Sequence, residues 1–461
     1  MNVLWLRNDL RLHDHPGFQR AQADACPLSV VYILPQHWLE KDEHGLNRLS
    51  LPKARFLRAC LIDLHRALYL QNIQLHILYG DPVELLQRWH RQHAFTLLTH
   101  SAQAPEERQW LAQLQQAHIE CVTYDTQTLL NHTDIAPILE PFPATFNRFR
   151  RAFERDVIQH IQKPTAPVVL TQHSQDVPFI TSAPWPNDFH PYRGGAGIQA
   201  TGGEQNGLSW LNRYLWQDRG IAHYKTTRNQ LLGTHYASQL SPYLAWGCLS
   251  VRQVWYEIVR YEQQFGMDEH SEWLRMELLW REFFHWSMRH HADRLFQYQG
   301  LLDHTPPVRQ HNSGYWQAWC TAETGMPMID AGLLELQHTG FLSNRLRQIL
   351  ASYFVHELGL DWRLGARYFE QQLIDFDVAS NWGNWAYLAG VGHDPRSQNG
   401  EGRYFNINKQ LQQYDPDVRH IHTWLTKCQY ATLDDIQRHQ AGGSELADYP
   451  SPIHLATSNR V

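Results

Sequence analysis

Two acids, two asparagines and two tryptophans crowd into the eleven residues Asp375-Phe376-Asp377-Val378-Ala379-Ser380-Asn381-Trp382-Gly383-Asn384-Trp385, just after the apolar pair Leu373-Ile374. A buried charge costs several kcal/mol unless it is paired, and a buried amide needs partners of its own. An indole is large, flat and readily oxidised. These residue types at this spacing fit a polar, redox-active ligand.

Three further segments carry suitable chemistry. In Asn344-Arg345-Leu346-Arg347-Gln348, Arg347 suits pairing with Asp375 or Asp377, or a bidentate approach to a diphosphate; an interhelical ion pair without any ligand is the plainer alternative. Ala237-Ser238-Gln239-Leu240-Ser241-Pro242 places small hydroxyl residues before a Pro-initiated helix, where free backbone N–H groups favour phosphate oxygens. The alternative there is an ordinary N-cap at Ser241. In Glu277-Leu278-Leu279-Trp280-Arg281-Glu282-Phe283-Phe284, Glu277 and Trp280 share one helix face. Together they could hold a base-like substrate by hydrogen bond and stacking, or be a rim acid beside a core ring. Trp316, Trp319, Trp362, Trp382 and Trp385 could pass electrons or simply fill the core. The 29 histidines form no HExxH or similar spacing, so no metal site is expected.

These segments need a scaffold, and 461 residues predict two domains rather than one. A hydrophobic share of 43% with 19% charged residues is that of a globular protein. The start carries Arg7, Asp9, Arg11 and Asp14 and does not read as a signal peptide; no apolar run reaches a membrane span. Six scattered cysteines without a CxxC pair fit a reduced, cytoplasmic setting. The net charge of −6 gives no global attraction to nucleic acid, though it leaves room for a local basic groove. Of 18 tryptophans, only Trp5, Trp38, Trp89 and Trp110 precede Trp185, so the unusual composition belongs to the second half.

Over residues 1–130, Val3–Leu6, Leu28–Leu34, Ile73–Leu78, Phe95–Thr99 and Ile119–Tyr124 read as strands. Arg55–Tyr69 and Glu106–Ala117 have helical spacing between them. This alternation predicts an α/β domain with a parallel, doubly wound, five-stranded sheet. Asp81-Pro82 predicts a capped helix start, and the absence of GxGxxG argues against a Rossmann dinucleotide site. A Pro-rich linker is expected over 131–201, with one helical piece near Phe146 to Gln162. An all-α ligand-binding domain follows over 202–430, broken at Gly233, Ser241-Pro242, Gly325-Met326-Pro327 and Gly359. A tail covering the surface is expected over 431–461.

Trp5-Leu6-Arg7-Asn8-Asp9-Leu10-Arg11-Leu12, Ser241-Pro242-Tyr243-Leu244-Ala245, Glu277 to Phe284, Asp361-Trp362-Arg363 and Asn381 to Trp385 fall in one order and spacing. On these segments the chain resembles the photolyase and cryptochrome family along nearly its whole length. Gly202-Gly203-Glu204, Tyr224-Lys225-Thr226-Thr227-Arg228-Asn229, Gly340-Phe341-Leu342-Ser343-Asn344-Arg345, Tyr404-Phe405-Asn406, Lys409-Gln410 and Tyr414-Asp415-Pro416 resemble its DASH branch. Where that branch often has Tyr-Ser-Ser-Lys, this chain has Tyr236-Ala237-Ser238-Gln239, one hydroxyl and one charge fewer.

The resemblance implies FAD folded inside the helical domain. Tyr224, Ser238, Gln239, Leu240 and Ser241 would line its phosphates and ribityl chain. Asn344 and Arg347 would hold the diphosphate and ring side, with Arg347 paired to Asp375; Asp377 would sit over the ring and Asn381 would face its N5. Glu277 and Trp280 would face a flipped-out pyrimidine dimer, with Gln348, Tyr387, Asn406 and Tyr414 nearby. Trp385 and Trp362 match the inner and middle members of the family's electron relay. Ungapped counting puts Arg309 at the outer position, and Trp316 is the expected substitute. Phe146, Phe149, Arg150 and Glu154 match the region where the branch binds methenyltetrahydrofolate as an antenna.

The implied activity is blue-light repair of cyclobutane pyrimidine dimers in DNA, preferably single-stranded or locally opened, by a monomer; RNA is a further ligand class. A flavin photoreceptor that binds nucleic acid and signals without repair is the alternative. Repair of six-four photoproducts is disfavoured, because Ser343-Asn344 stands where that class carries a His pair.

Overall fold

The computed structural model describes residues 1–171, 201–233, 235–306, 309, 312–393, 402–443, 446 and 448–453. The expected linker residues 172–200 and the end of the tail, 454–461, lie outside these.

Five strands, β1 Asn2–Leu6, β2 Leu28–Pro35, β3 Leu75–Gly80, β4 Thr96–His100 and β5 Glu120–Tyr124, form one parallel sheet in the order β3-β2-β1-β4-β5. Each strand lies within two residues of its sequence expectation. β1 and β2 are buried throughout, as central strands covered on both faces must be. Strand alternation sends Val3 and Trp5 to one side, where Trp89 and Trp110 cover them. Leu4 and Leu6 point to the other side and join a core that also contains Tyr243, Leu346 and Trp385 of the helical half. The core on this face is continuous with that of the ligand-binding domain, which the helix Leu51–Tyr69 meets. Asp81 caps the helix Pro82–Gln92 by accepting from the Glu84 N–H at 2.8 Å.

Between the halves runs a polar seam. The Arg11 guanidinium, wholly buried, donates to the carbonyls of His13 (3.0 Å), Asp14 (3.0 Å) and Gly247 (2.9 Å). Glu204 accepts from the N–H groups of Leu12 (2.7 Å) and His13 (3.1 Å). Gly247 has φ +65°, and a Cβ there would lie 2.1 Å from the Asn8 carbonyl oxygen, so only glycine fits. The opening segment, read as a mark of the family, and Gly202-Gly203-Glu204, read as a mark of its DASH branch, are therefore the two sides of this joint.

Past Gly202 the described chain is helical and contains no strand. The helices Glu269–His291, Asn344–Ser352, Trp362–Gln372 and Val378–Leu388, with the loop before Ser241–Ala245, surround a cleft. The expected breaks fall at Gly233 (φ +127°), Gly325 (φ +74°) and Gly359 (φ +63°), and Pro327 opens the helix Pro327–Thr339.

The tail requires correction. Leu433–Gln440 is a helix whose Ile436 and Gln440 are fully buried, and the Tyr449 hydroxyl donates to the buried Asp330 carboxylate. Low aromatic content did not signal this, because scattered aliphatic residues (Leu433, Ile436, Leu446, Ile453), one Tyr and polar groups with buried partners make the contact.

Candidate flavin and substrate cleft

The cleft has a volume of about 1450 Å³ including its open mouth. Its wall includes every residue expected to hold the cofactor: Tyr224, the run Ser238 to Ser241, Glu277, Asn344, Arg347, Asp375, Asp377 and Asn381. Trp280, Gln348 and Trp385 line it as well.

Asp375 is the node of one wall. It accepts from the Ser241 hydroxyl at 2.6 Å and from Arg347 Nη2 at 2.8 Å, while Arg347 Nε donates to the Leu342 carbonyl at 3.0 Å. Ser241 was a candidate N-cap; instead Leu240 takes the cap position without a side-chain bond, which frees the Ser241 hydroxyl for Asp375. The preceding loop is held by the Trp210 indole, whose N–H donates to the Ser238 carbonyl at 2.7 Å. Gln239 beside it has φ +52°, a left-handed conformation costing about 1 kcal/mol in a non-glycine residue.

Asp377 forms the opposite node. His285 Nε2 lies 2.8 Å and Arg281 Nη2 3.3 Å from its Oδ2, and the Ser380 N–H donates to Oδ1 at 2.8 Å. Burial alone would raise the Asp377 carboxyl, but His285, Arg281 and the Ser380 N–H outweigh it and hold the group well below the usual carboxylate range. Sequence reasoning left Asp377 without these partners; Arg281 and His285, four residues apart on one helix, were the available signal.

Asn381 Nδ2 donates to the Ala366 carbonyl at 3.0 Å, which leaves its carbonyl oxygen as the acceptor for a ligand in the cleft. Glu277 Oε1 is 2.6 Å from Arg228 Nη2 and accepts from the Trp273 indole N–H at 3.1 Å. Burial pushes the Glu277 carboxyl up despite these two partners. Its side chain keeps 28% exposure through the mouth, so it is walled by protein without being sealed from solvent. Arg228 lay within a segment read as a branch mark, and its pairing with Glu277 was missed.

Trp280 stacks flat on Phe146, with ring centroids 3.7 Å apart and planes at 11°, and meets Tyr387 edge-on at 6.3 Å. Phe149 is fully buried against Phe153 and Phe283. Of the four expected antenna contacts, only Arg150 and Glu154 keep substantial exposure, at 30% and 45% of their side chains. Asn406 caps the helix Ile407–Tyr414 by accepting from the Lys409 N–H at 3.0 Å. Tyr414 carries the Arg345 guanidinium over its ring at 4.8 Å; Arg345 and Arg403 both lie over Phe405, and Arg403 also lies over Tyr387. This cation–aromatic cluster follows the pattern of a nucleic-acid surface.

Trp385 packs against the helix Trp362–Gln372 at Gly365, where a Cβ would lie 2.3 Å from its ring; Trp362 is one turn earlier. Trp316 has no ring contact with Trp362 among the described residues; it packs on Phe354 (6.4 Å) and Tyr368 (6.0 Å).

The wall suits FAD. Arg347 and the Ser238–Ser241 loop match a diphosphate, the Asn381 carbonyl oxygen matches a protonated ring nitrogen, and Asp375 Oδ1 is buried without a partner among the described residues. Such a cleft in a helical domain, packed on a parallel five-stranded sheet, defines a flavoprotein of the photolyase type. A model described as the FAD binding domain of DNA photolyase matches residues 273–460, and one described as DNA photolyase matches residues 2–168. The chain is 35% identical to cryptochrome DASH of Synechocystis sp., covering 98% of this chain and 94% of that protein. With cryptochrome DASH of Vibrio parahaemolyticus it shares 36% identity, over 94% of this chain and 95% of the other. The solved Synechocystis cryptochrome superposes with a TM-score of 0.89 at 34% identity, over 98% of this chain and 96% of that one. An archaeal photolyase from Sulfolobus tokodaii shares the fold, with a TM-score of 0.77 at 24% identity over 99% and 97% of the two chains. The chain belongs to the photolyase/cryptochrome family, in its cryptochrome DASH branch. No helix among the described residues is long and apolar enough to cross a membrane.

Proposed function

We propose that this protein is a blue-light-driven lyase that splits cyclobutane pyrimidine dimers, preferring single-stranded or locally opened DNA. The observation that carries this reading is the single cleft lined by Glu277 and Trp280 on one side and by Asn381, Asp375 and Arg347 on the other. A base-binding pair and a flavin-binding wall then face the same space.

Reduced FAD, when bound, supplies one electron on absorbing light and takes it back after the dimer bonds break. The residues of the chain do the rest. Arg347, fixed by Asp375, and the Ser238–Ser241 loop hold the diphosphate. The Asn381 oxygen would accept a hydrogen bond from the protonated N5 of the reduced ring. Glu277 lines the cleft where the base carbonyl would sit, and burial, which raises its carboxyl against Arg228 and Trp273, favours the protonated form that can donate to that oxygen as negative charge grows. Arg228 adds a fixed positive charge beside it.

The single-strand preference has a physical basis in Trp280. Phe146 covers one face of its ring, and Tyr387 offers only an edge. Extrusion from a duplex costs a few kcal/mol, which a one-faced stacking platform covers less readily than a strand already open. Gln348 supports the substrate from the cleft wall, while Tyr414 under Arg345 and Tyr387 under Arg403 hold cations toward the strand. We assign methenyltetrahydrofolate, as antenna, to the exposed side of Arg150 and Glu154, where the Glu154 carboxylate can accept from a pterin amide.

The test is illumination of the purified, reduced protein with dimer-containing oligonucleotides, single-stranded and double-stranded. Light-dependent dimer loss, faster on single strands, is expected. Retention of the dimers on both substrates would overturn the reading in favour of a photoreceptor. Glu277→Ala should slow repair with flavin still bound; loss of the flavin absorbance would make Glu277 a cofactor residue instead.

A further inference from the structure

Trp382 was part of the opening cluster and has no place on the cleft wall. Its ring meets Trp362 at 5.7 Å between centroids, with planes at 78°, and packs on Phe296 at 4.7 Å. Trp362 is sealed in the core, at 1% exposure. Trp382, itself 7% exposed, also lines a surface cavity of about 910 Å³ including its open mouth, together with Phe296, Arg363 and Arg367. One indole thus touches a buried indole on one side and an open cavity on the other.

The other tryptophans near Trp385 lack such a route. Trp319 and Trp316 reach Trp385 through Phe354, which contacts them at 4.8 and 6.4 Å and Trp385 at 5.6 Å. A phenyl ring is much harder to oxidise than an indole, so Phe354 separates these residues from Trp385; Trp362 instead meets Trp382 directly and lies one turn before Gly365, on which the Trp385 ring packs.

We propose that Trp382 is the solvent-side end of the electron relay, which runs Trp385, Trp362, Trp382, and that a small water-soluble one-electron donor refills it from the adjoining cavity. This rests on the proposed role of Trp385 as electron donor toward the light-excited flavin. When Trp385 gives up one electron, Trp362 replaces it and Trp382 replaces that of Trp362. The Trp382 radical cation releases its indole proton to cavity water. A thiolate then returns one electron, water returns the proton, and two thiyl radicals pair as a disulfide. The cavity carries charges of both signs: Arg363 pairs with Asp361 at 2.7 Å, Arg367 with Asp42 and with Glu43 at 3.7 Å, and Arg309 donates to the Val355 carbonyl.

The test compares Trp382→Phe, Trp382→Tyr, Trp362→Phe and Trp316→Phe in the flavin-loaded protein, with dithiothreitol as donor. Readouts are the rate of flavin photoreduction, the long-lived indole radical by electron paramagnetic resonance, and light-dependent oxidation of each indole by peptide mass spectrometry. Flavin content and melting temperature control for folding. Trp382→Phe should lower photoreduction about tenfold and abolish the long-lived radical. Trp382→Tyr, which keeps an oxidisable ring, should restore part of both, and Trp316→Phe should match wild type. Oxidation damage should concentrate on Trp382. A wild-type radical yield in Trp382→Phe, or its loss in Trp316→Phe, overturns the proposal. If Trp362→Phe is also indistinguishable from wild type, the relay reading itself has failed, not only its exit.

Discussion

Arg228 Nη2 stands 2.6 Å from Glu277 Oε1, and the Trp273 indole donates to that same oxygen at 3.1 Å, beneath the Arg228 guanidinium. One carboxylate oxygen is thereby taken and Oε2 faces the cleft. Burial raises the Glu277 carboxyl while Arg228 and Trp273 pull it back. Arg228→Met removes the larger of the two lowering influences, so Glu277 keeps its proton to higher pH. The limb of the repair–pH profile set by Glu277 should move toward alkaline pH, measured as kcat/KM on a single-stranded dimer substrate. An unmoved profile would show that Arg228 does not govern Glu277.

Asp375→Asn should weaken both flavin retention and the fold. The substitution leaves Arg347 without a counter-charge and replaces an acceptor that the Ser241 hydroxyl uses at 2.6 Å. Removing one partner of a buried pair costs about 3–5 kcal/mol, and the partial exposure of Arg347 places this case at the low end. Flavin content after gel filtration and the melting temperature of the apoprotein should both fall. A normal apoprotein that lacks flavin would confine Asp375 to cofactor binding.

Phe146→Ala should loosen substrate stacking as well as the core. Phe146 fixes one face of Trp280 at a 3.7 Å centroid distance, and an aromatic pair contributes roughly 0.5–1.5 kcal/mol beyond its burial. If that ordering is lost from the platform, affinity for a dimer-containing strand should drop by up to about tenfold. Phe146→Tyr, which keeps the stack, should bind nearly as wild type. Equal binding by all three proteins would remove Phe146 from the substrate site.

Glu282 predicts a pH-dependent stability. It is fully buried and accepts from the Leu129 N–H at 2.8 Å and the Trp286 indole at 2.7 Å, yet burial pushes its carboxyl up to about 7. The folded protein therefore holds this proton more tightly than the unfolded chain. Stability should fall as pH rises through the interval between the unfolded carboxyl value and about 7, and flatten above it. Glu282→Gln should remove the upper part of that slope, near pH 7, and leave the part below due to Asp330, which burial raises to about 6, as judged by urea midpoints at mildly acidic and mildly alkaline pH. A slope that survives the substitution belongs to another group.

The fold was legible because burial leaves its mark in spacing. Val3–Leu6 and Leu28–Leu34 are runs that only a doubly covered sheet can hide, and Asp81-Pro82 announces a helix start by local geometry alone. The cleft was legible where residue type limits the options: Arg347 and Asp375 each need a partner of opposite charge, and each found the other. What stayed hidden lies across long sequence gaps. Nothing near Asp377 specifies His285 and Arg281, nothing near Glu277 specifies Arg228, and the contact of Trp362 with Trp382 depends on how two helices cross. The packing of Trp316 on Phe354 and Tyr368 was hidden for the same reason, since counting along a chain carries no information about which ring lies between two others.

The seam of Arg11, Glu204 and Gly247 has a mechanical consequence. Its donors and acceptors are matched on both sides, and the close approach of Gly247 to Asn8 leaves no slack for sliding. The sheet and the helices therefore move as one solid, and a load placed on either half is passed to the other without a hinge to absorb it.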